Sequence, residues 1–470
     1  MTGGSAFLRR LFDELERQGV TYCVLRNYDG LPDTGAVGTD IDFWVAPAEG
    51  RRFLDTAFQI AQASGWKLVG FLPRIVMRVD GNYYLASNDA QEVINLDIYT
   101  SLHWKGIPYL TESVVAGTIR EHERGFHIAG PEIEVCETLL RKLLSEGSVP
   151  LKYRERIVLF FHQHKDMCIR ILERPFGKRT ITKLGRRVAS GAWAEVERQR
   201  RELRWKLFLR SLARHPLSTL ASFFSYVIAR GGERLRPQWG AFVVLIGPDG
   251  AGKTTAAQNL LQTVSTKRLF SRRIYLYRRF PLFPELKVFV RWIRRRRTAE
   301  APASTENLEE VKPFGRCRCM LYVVYYGVEY MLGRLWLWWQ FGKNRALVVS
   351  DRYFHEYLLQ RQFQKTPRWL LALFMRLIAQ PDALIYLRTD PKTAYLRKGE
   401  RSIQELQRQC ALFEQWASST PNGYIVESTS EEQTLLDIQR IVVEVLTRKQ
   451  RKVVARLIST YHGGQHERRC

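Results

Sequence analysis

The chain has 470 residues, more than one ordinary hydrophobic core accommodates, so at least two domains are expected. Its 45% hydrophobic and 12% aromatic content excludes a largely disordered protein, because enough apolar side chain is present to offset the entropy of ordering. The formal charge of +26 favours polyanionic partners, namely nucleotides, nucleic acid or an anionic membrane surface. A generally basic protein without a specific polyanion is the alternative.

The first twenty residues predict an amphipathic helix and not a secretory signal, because acidic residues stand where a signal peptide needs an apolar core. The seven cysteines are scattered along the chain, which predicts reduced thiols and not a disulfide framework. Both observations favour a cytoplasmic protein.

Residues 1–130 are predicted to form a small α+β domain, since short apolar runs such as DIDFWVA and VINLDIYT alternate with turns. Asp40 and Asp42 lie two residues apart on one predicted strand and therefore face the same side. Asp97, on a predicted neighbouring strand, supplies a third carboxylate. These three aspartates are candidate Mg²⁺ ligands for nucleotidyl transfer.

The sequence GTDID at 38–42, followed by Asp97 in INLDIYT, resembles the nucleotidyltransferase fold over about residues 5–130. In that family a Gly-Ser pair stands before the aspartates and contacts the triphosphate, whereas this chain has Arg26 and Asn27 there. Two interpretations stay open: a working Mg²⁺-dependent nucleotidyltransferase, and a degenerate or purely binding domain.

The rest of the chain divides by composition into three parts. Residues 131–236 are basic and helical in period, and predict a helical extension or connector. Residues 237–448 alternate five apolar strands (AFVVLIG, RIYLYR, ALVVSD, ALIYLR and GYIVES) with helical patterns, which is typical of a parallel sheet with crossover helices. Residues 449–470 predict a basic, partly disordered tail. The predicted fold class is therefore α/β, with the small α+β domain and the helical connector ahead of the parallel sheet.

The segment GPDGAGKTT follows a predicted strand, precedes a helical pattern and matches the phosphate loop G-x-x-x-x-G-K-[ST]. Its glycines allow backbone N–H groups to turn inward on phosphates. Lys253 is expected to reach the β- and γ-phosphates of ATP, and Thr254 to help hold Mg²⁺. The predicted nucleotide-binding set is Gly247, Asp249, Gly250, Gly252, Lys253, Thr254 and Thr255.

A second chemical motif, SDRY at 350–353, follows the predicted strand ALVVSD. The strand delivers Asp351 and Arg352 to the carboxyl edge of the sheet, where open α/β sheets bind ligands. Asp351 is a candidate for holding the magnesium water or accepting the proton of an acceptor hydroxyl, and Arg352 for binding a transferring or acceptor phosphate. A purely structural ion pair is the alternative.

Together with PDALIYLRTDPKTAYLRKGER at 381–401, these motifs resemble the thymidylate kinase family of P-loop kinases over about residues 240–445. In that family lid arginines close over the transferred phosphoryl group. The resemblance implies this role for Arg397 and Arg401, and less strongly for Lys398. It also implies ATP and Mg²⁺ as cofactors.

The acceptor half departs from that family. Thymidylate kinases carry an Arg-Glu-Pro-Gly-Gly stretch that grips the acceptor phosphate, whereas this chain has YLYRRFPLFPELK. Arg278 and Arg279 remain candidates for an acceptor anion, and Tyr330 stands about where the family places an arginine on the thymine ring. An insertion at 291–315 also enlarges this side. The acceptor is therefore expected to differ from dTMP.

The apolar run at 320–341 is interrupted by Glu329 and Arg334, which favours a helix in a soluble core. Contact of its aromatic face with a membrane is the alternative.

The predicted function is ATP-dependent phosphorylation of a sugar, sugar phosphate or glycan, with a second nucleotidyltransferase-like site. The same pairing of domains resembles bacterial proteins associated with surface-polysaccharide synthesis. The alternatives are a thymidylate or other nucleoside monophosphate kinase, a nucleic-acid-binding protein, which is not favoured, and a non-catalytic ATP-gated protein. Peripheral contact with the inner membrane face stays open, and the sequence gives no prediction of oligomeric state.

Overall fold

The structure is a computed structural model that describes residues 3–33, 40–74, 79–235, 239–285, 314–354, 363–399 and 401–463. The described residues form two compact units. The N-terminal unit comprises those within 1–88, 92–235 and 450–470, and the C-terminal unit comprises those within 89–91 and 236–449.

The N-terminal unit is built on a mixed sheet in the order β3-β4-β5-β2-β1-β9-β8, beside a short β6-β7 hairpin. Its described strands are β1 (Tyr22–Val24), β2 (Asp40–Val45), β3 (Trp66–Pro73), β4 (Gly81–Ser87), β5 (Val93–Tyr99), β6 (Leu102–Trp104), β7 (Ile107–Leu110), β8 (Arg120–His122) and β9 (Phe126–Ile128). Its described helices are α1 (Gly3–Arg17), α2 (Gly50–Ala63), α3 (Glu112–Ala116), α4 (Pro131–Arg141), α5 (Leu151–Gln163), α6 (Lys165–Phe176), α7 (Lys178–Ala189), α8 (Trp193–Arg198), α9 (Arg200–Arg214) and α10 (Pro216–Leu235), and a π-helical turn (Lys142–Glu146) follows α4.

Both faces of this sheet are covered, and the two-residue alternation of β2 and β5 decides what each face carries. Phe43 and Ile98 point into a core shared with α1 and α2. Trp44 and Tyr99 point to the opposite face, into a core shared with the helices that follow residue 130. The helices predicted at 131–236 therefore pack on the sheet face that carries the predicted aspartates.

The C-terminal unit contains a parallel five-stranded sheet in the order β11-β12-β10-β13-β14. The strands are β10 (Ala241–Ile246), β11 (Arg272–Leu276), β12 (Ala346–Ser350), β13 (Ala383–Arg388) and β14 (Gly423–Glu427). Its described helices are α11 (Lys253–Gln262), α12 (Val264–Leu269), α13 (Arg316–Asn344), α14 (Arg368–Leu377), α15 (Pro391–Lys398), α16 (Ile403–Ser419) and the first part of α17 (Glu431–Gly463), whose residues from 450 onward belong to the N-terminal unit. All five strands were predicted from the sequence, and the α/β fold class is confirmed.

The strand order determines where in the sheet the candidate site lies. The connection after β10 leads across the sheet to β11, on the β12 side, whereas the connection after β12 leads to β13 on the opposite side of β10. The chain therefore changes direction between the adjacent strands β10 and β12, and such a switch point opens a crevice at the carboxyl ends of the strands. The phosphate loop and the Asp351-Arg352 pair follow these two strands.

Two helices bear on sequence predictions. The apolar run at 320–341 lies within α13, whose Val323, Tyr330 and Leu337 are buried in the core of the C-terminal unit. Within the described part of the chain, no helix combines the length and apolar content needed to cross a bilayer. The last helix, α17, continues through the boundary predicted at residue 448 as far as Gly463, so the basic tail begins within a helix. Residues 464–470 lie outside the described part.

The close packing of α13 gives a testable consequence. A methyl group at Gly327 would overlap the ring of Phe374 on α14, whereas one at Gly232 in α10 meets no atom within 4 Å. We expect Gly327→Ala to destabilise the protein by roughly 1–3 kcal/mol, because overpacking outweighs the gain in helix propensity. Gly232→Ala should leave stability unchanged or raise it by up to about 1 kcal/mol.

Urea unfolding of both variants against the parent protein measures the difference. Equal stability of the two variants would contradict the proposed packing of α13 against α14.

Candidate functional site

The phosphate loop turns sharply at three glycines. Gly247, Gly250 and Gly252 have φ values of 154°, 93° and 81°, a region that residues with a β-carbon rarely adopt. A β-carbon at Gly250 would also lie 2.7 Å from the carbonyl oxygen of Ala394. Glycine is therefore required by backbone conformation at these positions, and by close packing at Gly250.

Lys253 begins α11 and is buried beneath the loop. Its Nζ donates hydrogen bonds to the carbonyl oxygens of Gly247 and Pro248, both at 2.8 Å. The carbonyl groups of the phosphate loop thus hold the ammonium group of Lys253 next to the N-terminal end of α11. Both features favour an anion at this place.

Asp351 is the residue that directly follows β12. Its Oδ2 accepts hydrogen bonds from the hydroxyls of Thr254 and Tyr275, each at 2.7 Å. Burial, together with the bond to Asp351, raises the pKa of Tyr275 to about 12, so this phenol stays protonated as a donor. Among the described residues, the buried Asp351 Oδ1 has no hydrogen-bond donor.

An unsatisfied, buried carboxylate oxygen beside a threonine hydroxyl suits a hard divalent cation. The residues present therefore fit the predicted Mg²⁺, with Thr254 and Asp351 as its protein ligands. Tyr275 was missed from the sequence, although its position in the predicted strand RIYLYR, next in space to ALVVSD, could have indicated it.

Asp249 gathers cations over the loop. Its carboxylate pairs with Arg352 at 2.8 Å and Arg401 at 3.5 Å, and lies 3.9 Å from Lys253 Nζ. Burial acts to raise the pKa of Asp249, but these three cations and Lys398 outweigh it, and the net shift is downward. Two of the predicted phosphate-binding arginines, Arg352 and Arg401, therefore converge on one ionised carboxylate.

A cavity of about 490 Å³ opens at this place. Arg397 and Lys398 from α15 line it, and Arg397 donates a 3.4 Å hydrogen bond to the carbonyl oxygen of Gly250. Thr255 also lines it. The segment 428–431 after β14 forms another wall, which the sequence motifs did not predict.

The predicted acceptor residues lie elsewhere. Tyr330 is buried among the rings of Phe280 and Tyr353, and its hydroxyl donates to the carbonyl oxygen of Arg278. Arg279 forms an ion pair with the buried Glu329 at 3.3 Å. Tyr330 is therefore a core residue and not a ligand contact. Most of the insertion at 291–315 lies outside the described residues.

In the N-terminal unit, the structure brings Asp42 and Asp97 together as neighbours on the parallel strands β2 and β5. Arg26 donates to both oxygens of Asp42, at 2.8 and 2.9 Å, and to Glu137 at 2.8 Å. Arg26 and the three carboxylates, Asp42, Asp97 and Glu137, are all buried. Arg26 is one of the two residues that stand where the resemblance to the nucleotidyltransferase fold would place a Gly-Ser pair.

Asp97 is likewise paired. Arg74 donates to its Oδ1, and the hydroxyl of Tyr99 donates to its Oδ2 at 3.1 Å. Burial raises the pKa of Asp97 above its ordinary value, while the Arg74 guanidinium acts in the opposite direction. Asp40 is exposed and accepts a 2.6 Å hydrogen bond from Asn95.

These pairings leave little room for magnesium. Both oxygens of Asp42 and of Asp97 already accept hydrogen bonds. Within the described residues, no group of three or more potential ligands is arranged to hold a metal ion. As arranged, the three predicted aspartates do not fit Mg²⁺, and a metal site there stays a prediction.

Arg26 should be essential for stability, since its removal leaves the buried carboxylates of Asp42 and Glu137 to share a single cation, Arg141, at 3.5 and 3.3 Å. We expect Arg26→Met to cost roughly 3–5 kcal/mol in the free energy of unfolding. Arg9→Met is the matched control, because the ion pair of Arg9 with Asp33 is exposed and contributes about 0–1 kcal/mol. Urea unfolding, with amide hydrogen exchange of β2, measures both. Similar losses for the two variants would contradict this assignment.

No protein-family model and no curated protein matches the chain. Among solved structures, it is similar to thymidylate kinase from Ehrlichia chaffeensis, with 14% sequence identity and a TM-score of 0.27. The match covers 43% of this chain and 97% of that protein. A likeness this low says nothing about activity, so function has to be argued from the phosphate loop and its surroundings.

Proposed function

We propose that the C-terminal unit is an ATP-dependent phosphotransferase. The observation that carries the proposal is the convergence of Lys253, Arg352 and Arg401 on Asp249 in the phosphate loop. ATP hydrolysis requires that the nucleotide is bound. Cations from three separate segments that surround one point suit, in addition, the stabilisation of a phosphoryl group during its transfer to an acceptor.

The proposed chemistry follows from these positions. Lys253 and the loop N–H groups would bind the β- and γ-phosphates. Bound Mg²⁺, held by Thr254 and Asp351, would neutralise charge on these phosphates. Arg352 and the lid arginines would donate to the oxygens of the transferring group.

In the transfer step, the acceptor hydroxyl oxygen forms a bond to the γ-phosphorus as the bond to ADP breaks, and the hydroxyl proton is released. That proton would pass to solvent water, or to Asp351 if this carboxylate holds Mg²⁺ through a water instead of directly.

The proposed acceptor is a sugar, sugar phosphate or glycan and not dTMP. The support is the altered acceptor side: Tyr330 is in the core, and the charge of Arg279 is compensated by Glu329. We further propose a cytoplasmic location, with contact at an anionic membrane face as the alternative.

ATP binding should depend on Lys253. We expect Lys253→Met to weaken ATP binding by roughly ten-fold to a hundred-fold, since it removes charge-assisted hydrogen bonds to the phosphates. Lys267→Met removes an exposed lysine of α12 in the same unit and serves as the control. Calorimetric titration with ATP and Mg²⁺ measures both variants. The proposal fails if Lys253→Met binds ATP as tightly as the parent protein.

The acceptor can be found directly. We expect a cell extract incubated with ATP and the parent protein to contain a metabolite or glycan that gains one phosphoryl group. The Lys253→Met protein should not form that product. Mass spectrometry of the two extracts compares them, and an absence of any difference would speak against phosphotransfer.

The rival functions give different results. A nucleoside monophosphate kinase would turn over dTMP or a related nucleotide at roughly 1–100 per second. A nucleic-acid-binding protein would show affinity that falls steeply with salt concentration. An ATP-gated protein would bind ATP and leave every acceptor unmodified.

For the N-terminal unit, we infer that the ligand-binding interpretation is better supported than Mg²⁺-dependent nucleotidyl transfer. The support is the occupation of the Asp42 and Asp97 oxygens by arginine and tyrosine donors. The aspartates then act as counter-ions for arginines. If purified protein catalysed a Mg²⁺-dependent nucleotidyl transfer that Asp42→Asn abolished, this inference would be wrong.

A further inference from the structure

A second cavity, also of about 490 Å³, lies wholly within the N-terminal unit, beside the paired aspartates. Its lining is strongly cationic. It contains one carboxylate, Glu146, and five cationic side chains, which are Arg74, Lys105, Arg141, Arg204 and Arg230. A cavity of this size accommodates a ligand as large as a nucleotide or a sugar phosphate.

The inner wall is held rigidly by the carboxylates of the sheet face. Arg74 pairs with Asp97 and stacks 3.8 Å from the centre of the Tyr99 ring. Arg141 donates to the Tyr99 hydroxyl at 2.8 Å and lies 3.3 Å from Glu137. These two arginines are therefore fixed in direction before any ligand arrives, which reduces the entropy lost on binding.

The outer wall carries charge that the protein leaves uncompensated. Among the described residues, neither Lys105 nor Arg204 has a carboxylate partner, and Glu146 pairs with Lys142. Arg204 donates to the carbonyl oxygen of Leu144 at 3.0 and 2.6 Å, and its other N–H groups remain for a ligand. Burial, together with Arg200, lowers the pKa of Arg204, the direction expected of a cation without an anion.

Aromatic rings position the outer cations. Lys105 and Arg204 lie 5.1 and 5.7 Å from the centre of the Trp104 ring, and Arg230 lies 5.9 Å from that of Tyr226. The β6-β7 turn packs directly on α10, since a side chain at Gly106 would overlap the backbone of α10. The outer cations thus lie beside ring faces on a closely packed support, with Lys105 and Arg230 exposed and Arg204 half-buried.

We propose that this cavity binds a phosphate-bearing small molecule through its arginine and lysine side chains, without a divalent metal. Arg204, Lys105 and Arg230 would contact the phosphate oxygens, with Arg74 and Arg141 behind them. Guanidinium groups suit this role because they present several donors in a plane that matches phosphate geometry. The ring of Trp104 would face the sugar or base.

The test uses full-length protein carrying Lys253→Met, so that anion binding at the phosphate loop is weakened. Inorganic pyrophosphate is titrated calorimetrically in the presence of excess EDTA. We expect binding, and we expect Arg204→Gln to raise the Kd about ten-fold through loss of charge-assisted hydrogen bonds. Lys105→Gln, at an exposed position where misfolding is not expected, should raise it in the same direction.

Lys206→Gln is the matched control for Arg204→Gln, because Lys206 is exposed on the same helix, α9, and does not line the cavity. ADP and glucose 1-phosphate, titrated in the same way, distinguish a nucleotide from a sugar phosphate as the source of the anion. The proposal is overturned if pyrophosphate does not bind, if it binds only when Mg²⁺ is added, or if Lys206→Gln weakens binding as much as Arg204→Gln. Because Lys253 is absent throughout, none of these results depends on the proposed kinase activity.

Discussion

A carboxylate removed from water must be neutralised by a nearby cation or by donated hydrogen bonds, and this constraint organises both units. In the C-terminal unit, the half-buried Asp249 is surrounded by Arg352, Arg401 and Lys253. In the N-terminal unit, the buried Asp42 and Asp97 each lie against an arginine. The high proportion of arginine and lysine in this chain thus has a structural as well as an electrostatic consequence.

The two units meet the constraint in different ways. Asp249 pairs with cations from separate segments, one of which is the end of α15 and the turn after it. The nitrogen atoms of these cations lie 2.8 to 3.9 Å from the Asp249 carboxylate. A phosphate, which has more oxygens than a carboxylate, could replace Asp249 as their partner. Arg26, by contrast, is 3% exposed and is held by three oxygen contacts from two carboxylates. We infer that the cations around Asp249 are available to a ligand, while Arg26 stabilises the fold.

The sequence predicted the elements that depend on local patterns. Apolar runs gave the five parallel strands, and the glycine spacing gave the loop whose φ values require glycine. The partners of the aspartates were not predictable in this way, since Arg26 is 16 residues from Asp42 and 111 from Glu137. Only the fold brings such groups together. The same is true of Tyr275, whose hydroxyl reaches Asp351 across 76 residues of sequence.

The loop after β11, where the sequence predicts an acceptor anion, illustrates how a single buried charge restricts the side chains around it. Glu329 on α13 is fully buried, and it accepts from the backbone N–H groups of Leu282 and Phe283 at 3.2 Å as well as pairing with Arg279. Displacing Arg279 toward an acceptor phosphate would leave this carboxylate short of a counter-ion in the interior, at a cost of several kcal/mol. Arg279 therefore holds the loop after β11 in place. Under the proposed phosphotransfer, an acceptor that approached this loop with a neutral hydroxyl, as an unphosphorylated sugar does, would avoid that cost, and we therefore propose such a sugar over a nucleoside monophosphate.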